Sequence, residues 1–277
     1  MKTAFNIQPE NEEIENLHLL FEAGDYGISC CWFTKQPVDV KGLAVYHFSL
    51  SADATEKARE LEKILQSEAA FTKNPLSTSI CYNFRESMPV PAEYYKPGSE
   101  KDMLSLVFDS GAECHIRCEE VTGKEIFNMY AINRKIESVI TQRFPDAEIF
   151  HASSRQLSLE TPAGNELHCI VYHNMIKVLL YKNGVLQLLQ YFNYAGTTDV
   201  AYHLLNGCNQ FGISPQMVSL RLSGLIDTGS LLYNELYKYF SQISFHETGN
   251  KVNLQERVRF YPAHYFSHLT ALLPCES

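Results

Sequence analysis

The sequence contains no run of Lys or Arg and no apolar stretch of about 18 residues. The first absence, with 32 acidic against 23 basic side chains and a net charge of −9, argues against nucleic-acid binding, because gripping phosphates needs a concentrated basic face. The second leaves no transmembrane helix to expect. Met1–Glu13 also lacks the apolar core of a signal peptide, so the expectation is a cytoplasmic protein. No C-x-x-C pair occurs among Cys30, Cys31, Cys81, Cys114, Cys118, Cys169, Cys208 and Cys275, which reads them as reduced thiols packed as small hydrophobes. G-x-S-x-G, a Walker lysine loop and G-x-G-x-x-G are missing as well. His264 and His268 stand four apart without the glutamate of H-E-x-x-H, and Cys114 and Cys118 have no second pair at zinc-ligand spacing. No metal is expected.

The chain has the length and apolar content of a two-domain globular protein, with 277 residues and 45% hydrophobic side chains. Its periodicity runs through one order of elements twice. In the first half, apolar strands at Leu17–Phe21 and Gly27–Phe33 flank the turn Gly24-Asp25-Tyr26-Gly27, and a third strand covers about Leu43–Leu50. Asp53 with Glu56 caps a helix whose inner face is Ala58, Leu61, Ile64, Leu65 and Ala69. In the second half, strands at Glu166–Tyr172, Met175–Tyr181 and Val185–Phe192 precede a helix from about Thr198. Asn183-Gly184 supplies the positive φ of a type I′ hairpin turn between the last two.

Later helices start at Asn133 and Ser230, after short strands at Phe127–Ile132 and Val218–Ser223, and run toward His151 and His246. These paired histidines point to a structural role at strand ends. The first half is longer, with an extra stretch between Ala70 and Lys124 holding Ser77–Phe84, a Met88–Pro91 turn, a helix near Glu100–Phe108 and a strand at Glu113–Cys118. The fold class expected is α/β, two tandem ribonuclease-H-like units with mixed sheets flanked by helices, because the first three strands of each half lie too close for helical crossovers. Residues 1–151 form the first domain, with an insertion at about 71–124, and residues 152–277 the second.

Several short motifs carry a likeness. They are the Asp25 turn, Val90-Pro91 followed by Tyr94-Tyr95, Phe144-Pro145 leading to His151, Tyr181–Val185, Phe211–Ile213, Leu220–Gly224 and Cys275-Glu276. In these the chain resembles a bacterial family known only as a domain of unknown function, whose members have an actin-like ATPase fold. It is more distantly similar to the cell-division and pilus-assembly members of the actin superfamily. The likeness spans nearly the whole chain and implies the fold, with no activity attached.

In such a fold, two hairpin turns grip phosphates, each through glycine and an acid that holds Mg²⁺ by way of water. Asp25 and Gly27 occupy that place in the first half. The matching turn of the second half, Tyr172-His173-Asn174-Met175, has neither, and a bulky turn blocks backbone approach to a phosphate. The adenosine-side turn keeps Ser223-Gly224 but has Leu225 where a second glycine belongs. Asp25, Gly27, Ser223 and Gly224 are therefore the candidate remnants of a nucleotide cleft, with no catalytic residue among them. The expected function is a non-catalytic scaffold that binds protein partners without a cofactor. The alternative is a nucleotide-binding protein or slow ATPase, in which ATP and Mg²⁺ occupy the cleft. Tyr94, Tyr95, Tyr233, Tyr237 and Tyr239 are candidates for a partner surface.

Overall fold

The computed structural model describes residues 1–10, 13–109, 113–159, 161–247 and 252–273. They form two compact units. Unit 1 is Met1–Leu159, Asn250–Val258 and Leu272–Ser277; unit 2 is Glu160–Gly249 and Arg259–Ala271. Cys275 and Glu276 lie outside the described residues.

Unit 1 opens with β1 (Lys2–Ile7), β2 (His18–Gly24), β3 (Gly27–Lys35) and β4 (Val38–His47), then α1 (Ala54–Ser67) and α2 (Ala69–Thr72). Strand alternation puts Leu19, Phe21, Ala23, Ile28, Cys30 and Trp32 into one core with Leu61, Leu65 and Phe71 of the helices. The α1 capping box forms as its sequence dictates: the Asp53 carboxylate accepts from the Thr55 and Glu56 amides, at 2.7 and 2.9 Å, and Glu56 accepts from the Asp53 amide. Next come β5 (Ser77–Asn83), β6 (Ser87–Pro91), α3 (Glu100–Ser105), β7 (Cys114–Glu120), β8 (Ile126–Asn133), α4 (Arg134–Arg143), β9 (Glu148–His151) and α5 (Ala152–Ser158). Asn133 caps α4, its side chain accepting from the Lys135 amide.

Unit 2 runs β10 (Glu166–Val171), β11 (Met175–Lys182), β12 (Val185–Asn193), α6 (Thr197–Gln210), β13 (Ser219–Gly224), α7 (Leu231–Leu236) and β14 (Gln242–Phe245). Asn183 and Gly184 take the positive φ values, 49° and 79°, that their turn requires. A last strand, β15 (Val252–Leu254), belongs to unit 1 and pairs parallel with β4.

The principal sheets share one strand order. Unit 1 reads β4-β3-β2-β5-β9 with β1 added outside β4, and unit 2 reads β12-β11-β10-β13-β14. In each, three antiparallel strands are followed by two that pair parallel to the first. This mixed α/β architecture is the one the strand spacing predicts.

Three local readings change. Ser77–Asn83, assigned from sequence to the extra stretch, is a main-sheet strand and the counterpart of β13. Phe127–Ile132, matched there with Val218–Ser223, belongs instead to a separate antiparallel sheet, β6-β8-β7. Met88–Pro91 is strand, not turn. Pro89 and Pro91 are tolerated because β6 is an edge and needs no outward amide. Short apolar runs look alike to a periodicity argument, and only long-range pairing separates them.

The small sheet packs Val90, Met129 and Ala131 against Leu104 of α3, with Cys114, Ile116 and Cys118 along the same face. Its opposite face carries Tyr130 and Ile132 into the unit 1 core. There Arg117 and His115 both bind the buried Glu137 of α4, at 2.8 and 2.9 Å, which ties the sheet to unit 1.

Candidate functional site

The turn between β2 and β3 places Asp25 at the end of the unit 1 sheet, about one-third exposed. Its carboxylate accepts the Arg85 amide at 3.0 Å and lies 3.9 Å from the Lys57 ammonium, which also donates to the Asp25 carbonyl. Tyr26 is buried, with its hydroxyl 3.0 Å from the Ser29 hydroxyl. Gly27 has φ +146°, and a β-carbon there would sit 1.9 Å from the Tyr46 carbonyl oxygen. Close packing of β3 on β4 is thus sufficient reason for this glycine.

The turn between β10 and β11 is closed on itself. The Tyr172 amide donates to Met175 O at 2.8 Å, and the Tyr194 hydroxyl donates to the carbonyls of Tyr172 and His173, at 2.8 and 3.2 Å. Ser223 is buried. Gly224 has φ +82°, and a β-carbon would meet Val171 O at 2.2 Å. The chain after it is held by the C-terminal part of unit 2. Tyr265 donates to the Asp227 carboxylate at 2.9 Å, while His264 donates to Ile226 O at 2.6 Å and stacks on Phe245 at 3.9 Å. His264 and His268, four apart in the sequence, lie on the 3₁₀ turn Ala263–Tyr265 and the short helix Ser267–Thr270.

Asp25 with Gly27, and Ser223 with Gly224, thus each adjoin within their own unit. Each glycine meets a backbone oxygen of its own sheet. Sequence reasoning could name these positions because Asp and Gly mark turns. It could not foresee Tyr194, His264 and Tyr265, which reach the unit 2 turns from well separated places in the chain.

Burial also sets the charge of two unit 2 histidines. His268 is pushed down to about 3 by burial and then by the neighbouring His246 and Lys177. His246 is lowered to about 4 by burial, with Arg221 and His168 adding to it. Both are neutral in the folded protein, and unfolding returns them to about 6.5. A histidine lowered on folding costs nothing above pH 6.5 and destabilises progressively below it, as the unfolded chain takes up protons the folded chain refuses. Denaturant melts should therefore lose about 1.4 kcal/mol per pH unit per histidine between pH 6 and pH 4. Replacing His268 with Phe should flatten that slope, whereas an unchanged slope would contradict the assignment.

Unit 1 also carries a cleft of about 170 Å³ on the sheet face away from α1. Leu20, Phe33 and Phe150 give it an apolar floor, and Glu119, Glu120, Glu148 and Arg155 line its sides. Glu119 accepts the His151 amide at 2.8 Å, and burial raises its carboxyl above the usual range. His151 approaches Ser87 at 3.5 Å, yet this is no nucleophile–base pair. The Ser87 hydroxyl donates to Asn128, the Ser153 amide donates to His151 Nδ1 at 3.1 Å, and Nε2 faces the Phe84 carbonyl at 3.3 Å. Both ring nitrogens are engaged in holding the backbone. Among the described residues no group of His, Cys, Asp and Glu could hold a metal ion, and no helix is long and apolar enough to cross a membrane.

A family model described as "Protein of unknown function (DUF3822)" matches residues 7–243. No curated protein gives a significant match. Among solved structures, a Bacteroides thetaiotaomicron VPI-5482 protein with actin-like ATPase fold and unknown function is similar over 96% of this chain and 98% of its own, at 14% identity and TM-score 0.74. The PilM-PilN type IV pilus biogenesis complex supplies a chain similar over 95% of this one and 100% of its own, at 14% identity and TM-score 0.55. The cytoplasmic domain of EpsL, from the type II secretion system of Vibrio cholerae, is 12% identical over 81% of this chain and 94% of its own, at TM-score 0.41.

Proposed function

This chain belongs to the DUF3822 family of proteins of unknown function and has the actin-like ATPase fold, and on that premise we propose that it is a non-catalytic binding protein, a pseudo-ATPase that engages a protein partner. The observation that carries the reading is the Tyr172–Met175 turn. It has no glycine or acid, its first amide is committed to Met175, and its carbonyls are capped by Tyr194. A phosphate grip needs free amides and an acid to organise the metal. This turn has no acid, and its first amide is already taken.

The unit 1 cleft suits a partner segment better than a nucleotide. An apolar floor beside three carboxylates and one Arg fits an aliphatic or aromatic anchor flanked by Lys or Arg. That PilM is found in a complex with PilN supports partner binding as a use of this fold. The cytoplasm is the compartment this reading implies, where the buried thiols of Cys30, Cys31, Cys81, Cys169 and Cys208 stay reduced. No cofactor is required.

The second reading, a nucleotide-binding protein or slow ATPase with Mg²⁺ and ATP, rests on the partly exposed Asp25 beside Lys57 and on the Ser223-Gly224 turn. Thermal melts with and without millimolar Mg-ATP separate the two. The expected shift corresponds to less than about 1 kcal/mol of linkage. Micromolar ATP binding that disappears in Asp25→Ala would overturn the pseudo-ATPase reading.

A further inference from the structure

Strand register aligns the floor of the unit 1 cleft with its acid side. Leu20 of β2 pairs with Ser79 of β5, and Ser79 pairs with Glu148 of β9. Residues paired in this way share one sheet face and form a row across the strands. With neighbouring strands about 4.8 Å apart, the two ends of the row are separated by about 10 Å. All three residues line the cleft, so the row runs apolar, hydroxyl, carboxylate.

The groups along it differ in what they can still bind. The Glu119 carboxylate is engaged, accepting from the His151 amide and the Tyr130 hydroxyl at 2.8 and 3.4 Å. Glu120 and Glu148 are exposed and belong to no ion pair among the described residues. Among the same residues, the side chains of Ser79, Thr122 and Arg155 are likewise uncommitted.

We propose that the cleft takes a polyproline-II segment of a partner protein, laid across the strands, with an apolar anchor over Leu20 and a Lys or Arg three residues away at Glu148. This rests on the partner-binding reading above and adds the partner's conformation and spacing. Three residues of polyproline II make one turn and rise about 9 Å, so side chains three apart share a face at the length of the row. A β-strand presents same-face side chains about 6.6 and 13 Å apart, which straddle that length. An α-helix is about 10 Å across, too wide for a cleft of about 170 Å³. That volume suits one anchor side chain, since an apolar cavity of about 150 Å³ holds a benzene ring. Polyproline II leaves its carbonyls without internal partners. Ser79, midway along the row, and Thr122 and Arg155 beside it can donate to them. Proline brings no N–H in need of an acceptor. Three carboxylates against one Arg, in a chain of net charge −9, favour a basic segment.

Fluorescence anisotropy of the full chain with three labelled proline-rich peptides tests this. One contains Leu-Pro-Pro-Lys, the second Leu-Lys-Pro-Pro, and the third Leu-Pro-Pro-Gln. The first should bind about fivefold more tightly than the other two, the scale of one well-placed ion pair. Glu148→Gln, at an exposed position, should erase that preference, with the affinity for the Gln peptide and the thermal melt unchanged. Equal affinity for the two Lys spacings, a preference that survives Glu148→Gln, or no binding by any peptide below about 1 mM would overturn the proposal. Mg-ATP melts judge the pseudo-ATPase reading separately, so either can fail alone.

Discussion

Gly27→Ala should abolish the folded state of unit 1, or cost about 3 kcal/mol or more if a folded fraction survives. The new methyl group would lie 1.9 Å from the Tyr46 carbonyl oxygen and 2.9 Å from the His47 α-carbon. Both are backbone atoms held in the β3–β4 ladder, so no rotamer change can relieve the overlap. The φ of +146° adds its own penalty, because side chains rarely adopt it. Gly224→Ala should act likewise on unit 2, with Val171 O at 2.2 Å and φ +82°. Gly98→Ala isolates the conformational part, since it shares a positive φ of +89° but has nothing within 4 Å. It should cost about 1 kcal/mol. Urea melts of the three variants should give that ranking. If Gly27→Ala melts within about 1 kcal/mol of the parent, the glycine serves something other than packing, and a ligand's approach becomes the better account.

Trp32→Ala should remove about 3–5 kcal/mol, the range for emptying a large buried aromatic site. Trp32 is the single tryptophan of the chain and is fully buried, 5.4 Å from the Phe71 ring, within the cluster that joins β2 and β3 to α1. Its indole N–H meets no hydrogen-bond partner among the described residues. Trp32→Phe therefore gives up volume without breaking a polar contact and should cost less than half as much. Denaturant melts followed by circular dichroism compare the two. In the parent, emission should be blue-shifted and should report unit 1 alone. A Phe variant as unstable as the Ala variant would mean that the indole N–H is engaged after all.

How far the sequence could be read depended on whether a feature is local. Asp53 with Glu56, Asn133, Ser230 and Asn183-Gly184 act within a few residues of themselves, and each cap or turn forms as its residue types dictate. The alternating runs of β2, β3, β10 and β11 are equally plain, because one sheet face packs on helices. Strand partnership is different. Nothing local in Ser77–Asn83 says that it lies beside β2, or in Phe127–Ile132 that it lies between β6 and β7, and so the boundary of the extra sheet was misread. Tyr239, one of the candidates for a partner surface, is 38% exposed and lies beyond the end of α7 at Leu236. The candidate nucleotide positions were legible as turns. What closes those turns in unit 2 was not, since Tyr194, His264 and Tyr265 announce no motif.

The route of the last residues has a practical corollary. Val252–Leu254 completes the unit 1 sheet beside β4, with the Asn253 side chain donating to Asp39 at 3.0 Å, whereas His264 and Tyr265 belong to unit 2. Severing the chain after Leu159 therefore liberates no intact half: the amino-terminal fragment forfeits β15, and the remainder carries a strand whose mate has gone. Anyone seeking an autonomous half-molecule must graft 252–258 back onto the first piece.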